Sequence, residues 1–157
     1  MSIRGIGVDI AATGRVLRLF ERYGQRFLAK AFHPAEVRAL DALPAGSVGP
    51  FLASRWAAKE ALHKALGTKR LLFPDIEVAR SGAHIGGGGG GGGSSSSGSS
   101  SSGGSSSTGG PPRLLLHGAA GDYLRSQGLA LHLTLSHEAG MAVAFVVATE
   151  LGAAGKQ

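Results

Sequence analysis

The chain has 157 residues, enough for one domain with a modest core. It has no cysteine, which excludes disulfides and thiolate metal sites, and no run near the roughly 20 apolar residues of a membrane span. A net charge of +6 and a pI of about 10.3 point to an acidic partner: nucleic acid, an anionic membrane, a phosphate-rich ligand or an acidic protein. The first residues hold no apolar run suited to a signal peptide, so a cytoplasmic location is the expectation.

Ser2–Ile10 predicts a strand. Ile6, Val8 and Ile10 share one face; Gly5, Gly7 and Asp9 share the other. Two glycines beside one carboxylate leave that face open to close approach by a ligand or a neighbouring element. Asp9 also suits a turn or helix-start acid where the strand ends, with Thr13 as a competing cap. Thr13–Tyr23 predicts an amphipathic helix, with Val16, Phe20, Tyr23 and then Phe27 on its apolar side. Arg15, Arg18 and Arg22 lie three and four apart on another side, with Arg26, Lys30 and Arg38 beyond. These six cations face only Glu21 and Glu36, an excess that suits an acidic partner surface better than a solvated face of mixed sign.

His33–Glu36 predicts the start of a short helix reaching about Leu43. Phe51–Gly67 predicts the principal helix: it follows Pro50, ends at Gly67, and holds strong helix formers with no β-branched residue. Phe51, Ala58, Leu62 and Ala65 fall on one side, with Trp56, Glu60, His63 and Lys64 roughly opposite. Arg55, Lys59 and His63 read as surface residues. Thr68–Phe73 predicts a loop bearing Lys69 and Arg70, and Pro74–Arg80 a strand.

Gly86–Gly110 holds only Gly, Ser and one Thr. It cannot bury enough apolar surface to fold and reads as a flexible insertion in a hairpin of one domain spanning residues 1–157. Arg113–His117 then predicts a strand and Gly118–Gln127 a helix. Leu129–Ser136 alternates cleanly, His137–Gly140 makes a turn, and Met141–Thr149 is nearly continuous apolar, as a central strand buried on both sides would be. The last two strands form an antiparallel hairpin.

Asp9, Glu60 with Lys64, and Ser136–His137 are the residues that carry chemistry. Two carboxylates without thiols or a His-x-x-His spacing suit a hard cation such as magnesium, which binds through one or two carboxylates and substrate phosphates. Lys64 would hold a phosphate oxygen as a point charge, and His137 would donate to another. The spacing of Glu60 and Lys64 equally suits an ordinary helix ion pair, and a lone histidine such as His137 suits a turn or a core.

GIGVDI with Arg15 six residues after Asp9, then FLASRWAAKEALHKALGT, FPDIEV and LTLSHEAGMAVAFVV, resembles holo-acyl-carrier-protein synthase, the small 4′-phosphopantetheinyl transferase family. The likeness runs in order over most of the chain outside the Gly/Ser tract. It implies an α+β fold in which an antiparallel sheet packs on a long central helix. It also implies magnesium-dependent transfer of 4′-phosphopantetheine from coenzyme A to a serine of an acidic apo acyl carrier protein. Adenosine 3′,5′-bisphosphate would be released, in support of fatty acid or polyketide synthesis. Residue by residue, it assigns the metal carboxylates to Asp9 and Glu60, a phosphate contact to Lys64, the coenzyme A contacts to Ser136 and His137, and carrier docking to Arg15. Arg18 and Arg22 would extend that basic surface. It further implies a homotrimer with sites between subunits, His137 meeting Asp9 and Glu60 of a neighbour, and neither a nucleic-acid nor a membrane partner.

Three positions depart from the family pattern: Ala12 stands where a Glu is common, Lys69 where a Gly is common, and Glu138 follows the Ser-His pair where some members have Asp. Two other readings of the same residues are a non-catalytic basic module binding nucleic acid through Arg15, Arg18, Arg22 and Arg26, and a magnesium phosphohydrolase.

Overall fold

The structure, a computed structural model, describes residues 2–68, 71–80 and 110–152. Strands β1 (Ile3–Ala12), β4 (Leu129–Glu138) and β5 (Met141–Glu150) form one antiparallel sheet in the order β1-β5-β4. The predicted hairpin is β4–β5. Cross-strand rows are fixed by the register: Asp9 pairs with Ala144, which pairs with Leu135. A separate two-stranded ribbon joins β2 (Ile76–Arg80) to β3 (Pro112–Leu116), antiparallel, with Arg80 opposite Pro112. The strands flanking the Gly/Ser tract therefore pair with each other; the tract itself, apart from Gly110, lies outside the described residues, as do Lys69 and Arg70.

Helices α1 (Thr13–Tyr23), α2 (Gln25–Ala31), α3 (Pro34–Ala39), α4 (Val48–Leu66) and α5 (Gly118–Gln127) complete the described fold. A 3-10 turn, Leu40–Ala42, prolongs α3 to the end predicted for it. Helix α4 starts earlier than its sequence suggested: Pro50 sits inside the first turn, where an amide N–H would have no helical partner anyway.

Helix α4 lies across the inner face of the sheet, and its small residues let it come close. A Cβ at Gly5 would stand 1.8 Å from the carbonyl oxygen of Ala65, and one at Gly7 1.9 Å from that of Ala61. The glycine face of β1 is thus the packing face, open to a neighbouring helix. Leu52 and Leu62 are also fully buried, each contributing roughly 1.5–3 kcal/mol.

Two expectations are corrected here. The first concerns α4, which buries more than one stripe. Trp56 stacks on Phe27 at 5.8 Å and meets Phe73 edge-on at 5.3 Å, while His63 also meets Phe73 edge-on at 5.1 Å. Lys59, read as a surface residue, is wholly buried, Arg55 is mostly covered and His63 is half-buried. Elements on several sides of the helix cover what a wheel assigns to solvent.

The second concerns β5, which is central but covered on one face only. Its outer row, Val143, Phe145 and Val147, pairs with Ile10, Val8 and Ile6 of β1. Phe145 is 40% exposed, and Ile6, Val8 and Ile10 are 54%, 50% and 56% exposed. No second layer of this chain covers that face among the described residues.

Candidate active site

Asp9 stands within β1, which continues to Ala12, so it caps no helix; the N-cap of α1 is Ala12, with no side-chain cap bond. The contacts of Gly5 with Ala65 and Gly7 with Ala61 set β1 antiparallel to α4. By that register Asp9 lies level with the turn of α4 that carries Glu60. Lys64 reaches back across: its Nζ donates to Asp9 Oδ1 at 2.8 Å and to the Val8 carbonyl at 2.9 Å. Glu60 makes no hydrogen bond or ion pair among the described residues. The helix pair that the Glu60–Lys64 spacing allowed is not formed; Lys64 serves Asp9 instead. The Lys64 side chain is 53% exposed, so the pair adds only about 0–1 kcal/mol. Its consequence is positional: it ties Asp9 of β1 to α4, with Glu60 one helical turn before Lys64.

Ser136 and His137 sit at the far end of β4. Ser136 falls on the outer face, in the row of Val143 and Ile10; His137 falls in the row of Ala142 and Ala11. Strand β5 separates them from β1, a spacing of about 10 Å for two inter-strand steps. Within one chain they join Ser54, Arg55, Arg80 and Leu135 around a cavity of about 260 Å³. A neighbouring groove of about 620 Å³ is lined by Arg38, Arg55, Arg80 and Arg113. No hydrogen bond or ion pair among the described residues joins Ser136 or His137 to Asp9, Glu60 or Lys64.

Arg15, Arg18 and Arg22 line an open surface of α1 together with Leu19, Glu21 and Tyr23. All three arginines are free of ion pairs among the described residues, and Arg22 lies over the Tyr23 ring at 5.2 Å.

Residues 5–87 match the family model of the 4′-phosphopantetheinyl transferase superfamily. A holo-[acyl-carrier-protein] synthase of Halothermothrix orenii is 34% identical over 151 residues, covering 94% of this chain and 98% of the relative. The chain belongs to the holo-[acyl-carrier-protein] synthase family. Solved structures agree with that. The crystal structure of the synthase from Neisseria meningitidis superposes with a TM-score of 0.72 at 29% identity, covering 95% of this chain and all of that one. The synthase from Bacillus anthracis, in complex with CoA (3′,5′-ADP), gives 0.66 at 26% identity, over 95% and 98%.

The α+β fold expected from the sequence is thus the fold of this synthase family, and the chain is an enzyme rather than a non-catalytic basic module. Among the described residues, no helix is long and apolar enough to cross a membrane.

Sequence reasoning missed the buried polar residues that hold these surfaces in place. Lys59 Nζ donates to Glu36 Oε2 at 2.6 Å, to the Ala31 carbonyl at 2.9 Å and to the Phe73 carbonyl at 3.1 Å. Glu36 also accepts from the backbone N–H of His33 at 2.9 Å and of Val78 at 3.0 Å. One ion pair therefore ties together α2, α3, α4, β2 and the turn before β2. Burial pushes the Lys59 ammonium below its ordinary pKa, and Glu36 opposes that push. The available signal was His33-x-x-Glu36, the spacing of a capping box, which the structure forms. Arg55 stacks its guanidinium on the Phe51 ring at 3.4 Å and keeps a buried Nε without a partner among the described residues. Burial pushes its pKa down to about 10, so it remains charged at neutral pH.

Proposed function

We propose that this enzyme transfers 4′-phosphopantetheine from coenzyme A to a serine of an apo acyl carrier protein and releases adenosine 3′,5′-bisphosphate. It acts in the cytoplasm as one domain, with residues 86–110 an insertion between β2 and β3, and it serves fatty acid or polyketide synthesis. The observation that carries this reading, beside family membership, is Lys64 Nζ held 2.8 Å from Asp9 Oδ1 with the uncommitted carboxylate of Glu60 one helical turn away.

The residues present fit a magnesium ion. The donors are hard carboxylate oxygens, one of them without a protein partner among the described residues, and the open surface leaves room for waters and phosphate oxygens. Asp9 and Glu60 would hold the ion, which when bound would neutralise charge on the diphosphate. Lys64 binds a phosphate oxygen, exchanging its contact with Asp9 for one to substrate. Ser136 and His137 bind the coenzyme A phosphates beside Arg55 and Arg80. The serine hydroxyl of the carrier attacks the phosphorus that bears the pantetheine arm and gives up its proton to a water or a carboxylate of the site. A new P–O bond forms, the diphosphate P–O bond breaks, and the bisphosphate leaves.

The basic face of α1, with Arg15, Arg18 and Arg22, docks the acidic carrier. The exposed apolar face of Ile6, Val8, Ile10 and Phe145 supports a homotrimer, because an uncovered surface of this kind on a monomer invites association. In that assembly the site is completed between subunits, with His137 of one copy meeting Asp9 and Glu60 of another.

The deciding experiment is mass spectrometry of apo acyl carrier protein incubated with the enzyme, coenzyme A and magnesium. The expected result is a gain of one phosphopantetheine, lost when magnesium is omitted and in Glu60→Gln. No gain with several carrier proteins, from folded enzyme, overturns the reading.

A further inference from the structure

His33, Glu77 and His117 come from three separate segments: the N-cap of α3, strand β2, and the residue before α5. Their ligand atoms all lie within 4.8 Å of one another, and no other group of three His, Cys, Asp or Glu gathers this way among the described residues. His117 Nε2 lies 2.8 Å from Glu77 Oε2, and His33 Nδ1 lies 3.6 Å from the same oxygen. The two imidazoles stack at 4.2 Å with 11° between their planes. None of these residues has a task in the transfer reaction.

We propose that His33, Glu77 and His117 form a binding site for a borderline divalent cation, with zinc the best match. Two imidazole nitrogens and one carboxylate oxygen are the donors zinc takes where a fourth position stays open to water. Magnesium prefers oxygen donors throughout, so this site and the Asp9–Glu60 surface sort different ions. Size agrees as well. Ligand atoms around tetrahedral zinc, at bonds of 2.0–2.1 Å, stand about 3.3 Å apart. The 2.8 Å and 3.6 Å separations bracket that spacing.

Charge and access agree too. Burial, and then the neighbouring His117, lowers the pKa of His33, and its Nδ1 accepts a hydrogen bond, so a lone pair stands on the side facing the cluster. The side chains of His33 and Glu77 are 18% and 11% exposed, whereas that of His117 is 42% exposed. His117 is therefore the ring free to tilt out of the stack and aim its nitrogen at an incoming ion. His33 Nδ1 now accepts from the Ala35 N–H at 3.2 Å, and the ion takes over that lone pair. The filled site would tie the start of α3 to the β2–β3 ribbon.

The test uses the full chain in excess magnesium, which fills the hard oxygen site, with cobalt titrated as a visible stand-in for zinc. The expected result is the visible absorption of four-coordinate cobalt, displaced by zinc. The band should vanish in His117→Asn and Glu77→Gln and survive Asp9→Asn. In His33→Ser, which keeps a helix-capping oxygen, cobalt should bind at least about tenfold more weakly. Zinc should raise the unfolding temperature of the wild type and not of His117→Asn. Circular dichroism checks that each variant is folded. No cobalt band in the wild type, a band unchanged in folded His117→Asn and Glu77→Gln, or a band lost in Asp9→Asn overturns the proposal.

Discussion

Replacing Gly7 with alanine tests whether the close approach of α4 to β1 builds the site. The added Cβ would lie 1.9 Å from the Ala61 carbonyl oxygen, 2.6 Å from the Ala65 nitrogen and 3.0 Å from the Ala61 carbonyl carbon, all of them main-chain atoms. Ordinary contact begins at 3.4 Å, so the helix must retreat by about 1.5 Å rather than let a side chain swing aside. Overpacking costs about 1–3 kcal/mol, and a backbone obstacle places Gly7→Ala at the upper end, about 3 kcal/mol. In a chain of this length each kcal/mol moves the melting temperature by about 2–4 °C, so a fall of about 6–12 °C is expected.

The same retreat carries Glu60 and Lys64 away from Asp9, and a misplacement of about 1 Å can cost on the order of 100-fold in rate. Gly14→Ala is the control: its Cβ meets only the mobile tip of Arg18, at 3.4 Å, and alanine gains about 0.5–1 kcal/mol over glycine in a helix. Thermal and urea unfolding followed by circular dichroism, with transferase assays below the transition, read both variants. Equal melting temperatures for Gly7→Ala and Gly14→Ala would refute the packing argument.

Three further outcomes are expected. Lys59→Met should cost about 3–5 kcal/mol in urea unfolding, because it strands the buried Glu36 carboxylate. Glu36→Gln with Lys59→Met should cost less than the sum of the single changes, and simple additivity would show that the pair is not coupled. Charge reversal at Arg15 and Arg18 should lower kcat/KM for the carrier protein at low salt while leaving the KM for coenzyme A unchanged; equal effects on both substrates would remove α1 as the docking face. Val8→Asp should yield monomers by light scattering, with transfer activity lost alongside, whereas an active monomer would place the whole site within one chain.

Much of this fold was legible in the sequence. The alternation of Leu129–Ser136 and the apolar run of Met141–Thr149 marked the β4–β5 hairpin, because a strand between core and solvent imposes a period of two. Asp9, Glu60 and Lys64 each suited a structural task taken singly; they stood out together, as two carboxylates and a lysine fit for a hard cation and phosphate, set in motifs that resemble the synthase family. Lys59 did not stand out, since its counter-charge Glu36 is 23 residues away and burial of a lysine depends on that partner. The cluster of His33, Glu77 and His117 left no local signal either, because each residue sits in ordinary surroundings in its own segment.

What the sequence determined by itself was the order and type of most elements, with α2 (Gln25–Ala31) the helix it did not mark, the family, and the residue types available for chemistry. These rest on short-range periodicity and on motifs read along the chain. The tertiary structure decided which faces meet. It turned the glycine face of β1 inward, because only a surface without Cβ atoms admits the backbone of α4. It left Ile6, Val8 and Ile10 facing out, although composition alone would bury them. It gave Lys64 to Asp9 rather than to Glu60, because the strand carboxylate lies within reach and leaves the helix carboxylate free.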